Sequence, residues 1–443
     1  MRFTPWATRL ALTLSLSAMA FLSACGSGGS GSQTQVRLLN ATRSYAALDL
    51  TVNDKTIDSK IAYASVGDYG SVDTSNTATK VLTSDVGTSI AATTPTLTGG
   101  SNYTYITYGF AGAIRTTLLQ EAETAPDANK AKLLVLNLAP DAGSLDIYVT
   151  GSSDDINTAT PLNNGALAGG AGTGYIQINS GTFRVRVTGY NKRSDLRLDI
   201  PAVTLDSASV NTLILTASDG GVLVNGITLV QKGAAKNFAN TQSRVRTVAA
   251  LTSGGTVSSN INGQDMFASA VISPLISDYV TTNSGTSTLT VNVNGLGMSF
   301  TPPTLTAGHD TTLLIWGDPS APRMAVLDDD NRLPTGSAGT ADVKIRVVNA
   351  LPTSGVGLNV AFGAIASNVA SGTASVFNTT GSTTSTQVDM TVPTSALSIY
   401  TNSTLALPTG SVWTFFAVPN TATVATTNSP VPGMTGLPKR ERP

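Results

Sequence analysis

The chain has 443 residues, only 12% of them charged, with a net charge of −1 and a mean hydropathy of +0.12. That balance excludes the basic stripe that nucleic-acid binding needs, and a polybasic patch for anionic lipid headgroups. One cysteine and one histidine exclude a disulfide framework and ordinary zinc or thiolate sites, so no cofactor is expected. The surplus is Thr, Ser, Gly, Asn, Ala and Val, a composition of strands and turns rather than helices.

At the N-terminus, Arg2 and Arg9 precede an apolar run from Leu10 to Leu22, closed by Leu22-Ser23-Ala24-Cys25. Charged region, apolar region and small-residue cut site, in that order, read as a secretory signal peptide over residues 1–24. The run is too short for a membrane span, which takes ~20 apolar residues. A cysteine at the cut, preceded by Leu-Ser-Ala, resembles the lipobox of bacterial lipoproteins. The resemblance implies that Cys25 carries the lipid, with three acyl chains in place of the single chain that holds only marginally. Gly26 follows where enteric bacteria use Asp for inner-membrane retention, so the expected location is the cell envelope, in the outer membrane of a Gram-negative host. Residues 25–35 are Gly/Ser-rich and read as a flexible tether of ~15–20 Å average span.

Beyond the tether the chain repeats. Val36-Arg37-Leu38-Leu39-Asn40-Ala41 returns as Leu133 to Leu138, as Val245-Arg246-Thr247-Val248-Ala249-Ala250, and as Ile345-Arg346-Val347-Val348-Asn349-Ala350. Counted at Asn40, Asn137, Ala249 and Asn349, the intervals are 97, 112 and 100 residues, the size of a whole small domain. A second strand follows each opening, at Leu48, Leu145, Val257 and Leu358. The turn Asn179-Ser180-Gly181-Thr182 recurs as Asn283-Ser284-Gly285-Thr286, each leading into an alternating run that buries one face. Late in each unit stands an apolar strand: Tyr103 to Tyr108, Thr212 to Thr216, Thr311 to Trp316, Val412 to Ala417. The pattern predicts an all-β chain of tandem immunoglobulin-like antiparallel β-sandwiches, roughly seven strands each. The units are placed at 36–122, 131–232, 243–330 and 342–420. Thr74 to Leu97 is too rich in Thr and Ser for its strands to be placed, and 421–443 reads as a solvated tail.

The run Arg346 to Pro352, preceded by Val326-Leu327-Asp328-Asp329-Asp330-Asn331 and a Pro/Gly linker, resembles the bacterial family known as domain of unknown function 4397. Leu136 to Val149 resembles the same opening closely, whereas the third copy departs from it, with Ala249 for Asn and no Pro after Leu251. The resemblance implies tandem β-domains in exported, lipid-anchored proteins. It supplies no catalytic residues.

The residues themselves supply few either. His309 and Asp310 are adjacent, so in a strand they point to opposite faces, and no G-x-S-x-G elbow occurs. Gly26 to Gly31 fits G-x-G-x-x-G but follows a signal peptide instead of a strand. Asp328-Asp329-Asp330-Asn331 is dense enough in oxygens for calcium, yet lacks the alternate ligand spacing and reads as a solvated linker. Glu occurs only at 121, 123 and 441, so a glycosidase pair would need scattered Asp. Asp49 and Asp146 hold equivalent positions, which favours structure over catalysis. Tyr103, Tyr105, Trp316 and Trp413 could stack on sugars, although strands at that place usually bury their aromatics. The expected function is therefore a lipid-anchored envelope protein with a structural, adhesive or protein-binding role and no catalysis. Its partners would be the membrane, through the lipid, and an envelope protein or glycan. The alternative is a glycan-binding module, or an enzyme acting on polysaccharide through Asp.

Overall fold

The computed structural model describes residues 32–334, 342–393, 398–420 and 431–442. The expected signal peptide over residues 1–24, Cys25 and Gly26 to Gly31 lie outside them. The described chain is all-β, broken only by two single-turn 3₁₀ segments, and no described helix is long and apolar enough to cross a membrane.

The four repeated openings are the strands Gln33–Asn40, Lys130–Leu138, Gln242–Leu251 and Asp342–Asn349. Each pairs in parallel with a return strand late in its own unit: Asn102–Tyr108, Val210–Ala217, Asp310–Asp318 and Val412–Pro419. A closing strand then turns back antiparallel on the return strand: Arg115–Gln120, Val224–Val230, Ala321–Asp329 and Met434–Arg442. The parallel pair departs from the all-antiparallel expectation. A parallel partner requires a long crossover, and here the crossover is the unit's entire second sheet. In the first unit that sheet runs Lys55–Ala62, Ala47–Val52, Thr79–Thr83, Ser89–Thr93, so the Thr/Ser-rich stretch does hold strands, with Val81 in the core. In the second unit it is Leu145–Thr150, Gly181–Gly189, Lys192–Leu205. The repeated Asn-Ser-Gly-Thr turn marks where the chain leaves the first sheet. Gly181 (φ +145°) and Gly285 (φ +96°) take a backbone conformation there that side chains resist.

Each opening strand is buried along nearly its whole length, not on alternate residues. The cause is that both faces of the first sheet are covered. Val36 and Leu38 point into their own sandwich, while Leu39 and Ala41 meet Leu138, Ile214, Ile227 and Leu229 of the second. In the same way Val248, Ala250, Leu314 and Trp316 of the third pack on Val348, Ala350, Phe416 and Val418 of the fourth. Units one and two, and units three and four, thus form two stacks of four sheets. Strands covered on both sides read as continuous apolar runs, which explains Leu-Leu-Val-Leu-Asn-Leu.

The repeated asparagine is a buried turn clamp. Asn349 Nδ2 donates to the carbonyls of Ser354 (2.6 Å) and Val369 (2.8 Å), and its Oδ1 accepts the Leu351 N–H at 2.9 Å. Asn40 and Asn137 bond two residues ahead in the same way. Asn349→Ala should therefore lower the unfolding free energy by about 2 kcal/mol, because buried backbone groups lose their partner. A urea titration reads this directly, and an unchanged midpoint would contradict the clamp.

The end of the chain corrects the sequence reading. Residues 421–430 lie outside the description, but Met434–Arg442 is the closing strand of the fourth sandwich, not a solvated tail. Its charges misled because they face a partner sandwich: Glu441 is buried and paired. Likewise Ala235–Phe238, left between units in the sequence reading, pairs with Val224–Val230.

Candidate functional site at the junctions between sandwiches

Four positions recur in register on the outer face of the first sheets. In the first unit they are Arg37, opposite Thr104 on the return strand, with Glu121 beyond the closing strand and Tyr69 before a short edge strand. Arg37 donates to Thr104 Oγ1 (2.9 Å) and Glu121 Oε1 (2.9 Å), and its guanidinium lies 4.5 Å from the Tyr69 ring centre. The third unit repeats this with Arg246, Thr312, Asp329 and Tyr279, and the fourth with Arg346, Thr414, Glu441 and Phe377. The second unit keeps Thr212 and Tyr175 but has Leu134 and Gln231 in place of arginine and acid.

Between units three and four the acids are exchanged. Arg246 grips Glu441 of the fourth unit with both Nη atoms at 2.7 Å, and Arg346 donates to Asp329 of the third. Asp329 also accepts from Thr312 and, at 2.7 Å, from the Tyr279 hydroxyl. Burial works against the Arg246 charge, yet Tyr279, Glu441 and Asp329 outweigh it and raise its pKa. Burial likewise works against Asp329, but Arg346 and Arg246 hold its carboxyl below the usual range. At the other end of this interface Trp316 lies over Gly372 (φ +73°), so close that a Cβ there would sit 2.1 Å from the ring. The first pair is joined without an exchange of buried acids, and its rim pair is Arg43 with Asp219 at 3.3 Å. Arg37 reaches the Gly233 carbonyl (2.8 Å), and Gln231 forms two bonds with the backbone of Glu123.

The acidic run expected to be a solvated linker is therefore mostly consumed by these contacts. Asp330 binds Arg332 (2.7 Å) and Lys344 (2.8 Å); burial opposes its charge, but these cations bring its pKa down to about 2. Asn331 donates to Asp310, and only Asp328 is exposed, beside His309 Nδ1 at 3.1 Å. His309 stands in a turn before its strand and faces Asp219 of the second unit at 3.9 Å. Among the described residues no group of three or more His, Cys, Asp or Glu is placed to hold a metal.

The two stacks also touch each other. Gly220 donates to the Gly308 carbonyl (2.8 Å), Arg442 Nη1 to Gly221 (3.1 Å), and Arg332 packs 4.9 Å from the Phe110 ring centre of the first unit. Asp141 is buried at this junction, with Oδ2 unpartnered; burial, partly offset by Arg442 and Arg332, pushes its pKa up to about 6.

Of the residues marked from sequence, Tyr103 and Tyr105 are core, and Trp413 donates to Ser411 beside the Phe415 ring. None of these forms an open stacking platform. Asp49 accepts the Lys60 N–H, and Asp146 accepts the Asn191 N–H, so the repeated acid ties down hairpins. The recurring Arg–Thr–acid–aromatic set was missed, because its four members are scattered over the length of a unit.

Residues 34–148 match the family model for a domain of unknown function, DUF4397. The match covers the first sandwich and the opening of the second, as far as Tyr148. DUF4397 thus falls first on the copy that looked less regular in sequence. No curated protein matches the chain. Among solved structures, a candidate cell adhesion protein from Bacteroides uniformis is 11% identical, covering 45% of this chain and 97% of its own, with a TM-score of 0.20. A second from Bacteroides ovatus is 10% identical, covering 46% and 96%, at 0.20. A family 26 carbohydrate-binding module from Eubacterium rectale, in complex with maltoheptaose, is 13% identical over 45% and 97%, at 0.17.

Proposed function

We propose that this chain is a lipid-anchored bacterial envelope protein whose sandwiches form a stiff binding or scaffolding array, structural or adhesive in role and without catalysis. The observation that supports this most is the exchanged pairing of Arg246 with Glu441 and Arg346 with Asp329. Charges desolvated in this way hold two sandwiches in one relative placement, since separating them would strand each charge without its partner. A Gly/Ser leash anchored at Cys25 would then present a fixed surface at a distance from the membrane. Arg246, Arg346, Asp329 and Glu441 are engaged with one another, and the repeated Asp49 and Asp146 hold backbone, which favours architecture over acid–base chemistry.

Expression in a Gram-negative host with an alkynyl fatty acid tests the anchor. Wild-type chain should take up the label and fractionate with the outer membrane, while Cys25→Ser should lose the label and become soluble. An unlabelled wild type would remove the anchor from the proposal. Incubation with peptidoglycan and surface polysaccharides should release no new reducing ends, and release that disappears on Asp substitution would replace the scaffold with an enzyme.

A further inference from the structure

A cleft of about 290 Å³ lies between the second sandwich and the third–fourth stack, walled by Lys192, Arg197, Arg244 and Arg442 together with Asp195 and Glu441. It shares Lys192, Asp195, Arg244 and Glu441 with a larger groove of about 800 Å³ that also reaches Lys439 and Arg440. We propose that this cleft is a binding site for an oxyanion, the carboxylate or phosphate group of a ligand held where three sandwiches meet. The inference goes beyond the envelope reading and does not depend on it.

The argument is one of charges left over. Asp195 is occupied by Arg197, through Nε at 2.7 Å and Nη2 at 2.5 Å. Glu441 is taken by Arg246 on the far side. Arg244 reaches Asp310 at 3.0 Å and stacks on Tyr279. Among the described residues, two cations of the wall remain with no acid in contact. Lys192 is exposed, and its side chain has no bonded partner among the described residues. Arg442 is only 7% exposed, and among the described residues its side chain makes a single hydrogen bond, from Nη1 to the Gly221 carbonyl. Its Nε and Nη2 have no acceptor among the described residues.

A guanidinium this deeply set and short of protein acceptors is only partly compensated, and its fork geometry matches carboxylate and phosphate oxygens. Burial, and then the neighbouring Arg197, bring the Arg442 pKa down to about 10, while the acids facing it more distantly, Asp141 and Asp310, are themselves pushed up to about 6 by burial. An oxyanion in the cleft would supply the missing acceptors to Arg442, with Lys192 at the rim adding a mobile charge.

Calorimetric titration of the purified whole chain tests this with inorganic phosphate, citrate, a galacturonate oligosaccharide and an uncharged glucose oligosaccharide. Saturable binding of at least one charged probe is expected, weakened by added NaCl. Lys192→Gln and Arg442→Gln should each weaken it tenfold or more, whereas Lys80→Gln, in the first sandwich, should not. Where phosphate or citrate binds as tightly as the oligosaccharide, the ligand is a small free anion; where only the oligosaccharide binds, it is an acidic glycan. Lys192 is exposed, so its variant carries the test even if Arg442→Gln fails to fold. No saturable binding of any charged probe, equal binding of the uncharged one, or unchanged affinity in Lys192→Gln would overturn the site.

Discussion

Arg246→Ala is expected to lower the unfolding free energy by about 3–5 kcal/mol, the range for removing one partner of a buried ion pair. The arginine is fully buried, and its loss would leave Glu441 without either of its 2.7 Å bonds and Asp329 with one cation instead of two. The penalty is mainly that of stranded carboxylates, not of lost attraction. Removing both charges together, as Arg246→Met with Glu441→Leu, should therefore recover most of the loss. An exposed pair such as Lys80–Asp54 sets the contrast: Lys80→Ala should cost ~1 kcal/mol or less. Urea titrations of the four proteins, with the slope checked for constancy, separate these outcomes. A loss below 1 kcal/mol for Arg246→Ala would mean that water reaches the pair and that the interface is not closed.

Much of this architecture was written in the sequence as periodicity. The opening runs at Arg37, Leu134, Arg246 and Arg346 announced four units, and alternation at Leu289 to Val293 announced a half-buried strand. Strand order was less legible, since pairing of Gln33–Asn40 with Asn102–Tyr108 depends on contacts some 67 residues apart that no local pattern encodes. The junctions were the least legible. Charged residues at Asp328 to Asn331 and at Lys439 to Arg442 read as solvated because charge usually is. Here Asp329 and Glu441 are each buried by an arginine from the other sandwich, a relation invisible until the sandwiches are packed. The available clue was the arginine itself: in three of four copies it interrupts an apolar strand that is covered on both faces, and a cation in such a place requires a partner.

Thermal stability is expected to be higher at pH 5 than at pH 8, and two carboxyls at the junctions decide the sign. Asp141 and Asp310 have pKa values of about 6, raised by burial, with Arg442 and Arg244 respectively offsetting only part of the effect. In the unfolded chain both would titrate near 3.9. Between about pH 4 and 6 the folded protein therefore holds protons that the unfolded chain has released, and its stability falls as pH rises through that window. The limit is about 3 kcal/mol per carboxyl. His309 acts in the same direction: its hydrogen bond to Asp328 raises its pKa, so the stability it adds below its unfolded value is lost as pH rises. The opposite trend belongs to Asp329 and Asp330, whose lowered pKa values protect the fold until the pH drops below about 4. Stability should peak between these two windows. Asp141→Asn should raise the midpoint at pH 8 and leave it nearly unchanged at pH 4, flattening the profile on the alkaline side. A wild-type midpoint that climbs from pH 5 to pH 8 would show that the buried carboxyls are ionised at no cost, and that the seam between the stacks is wet.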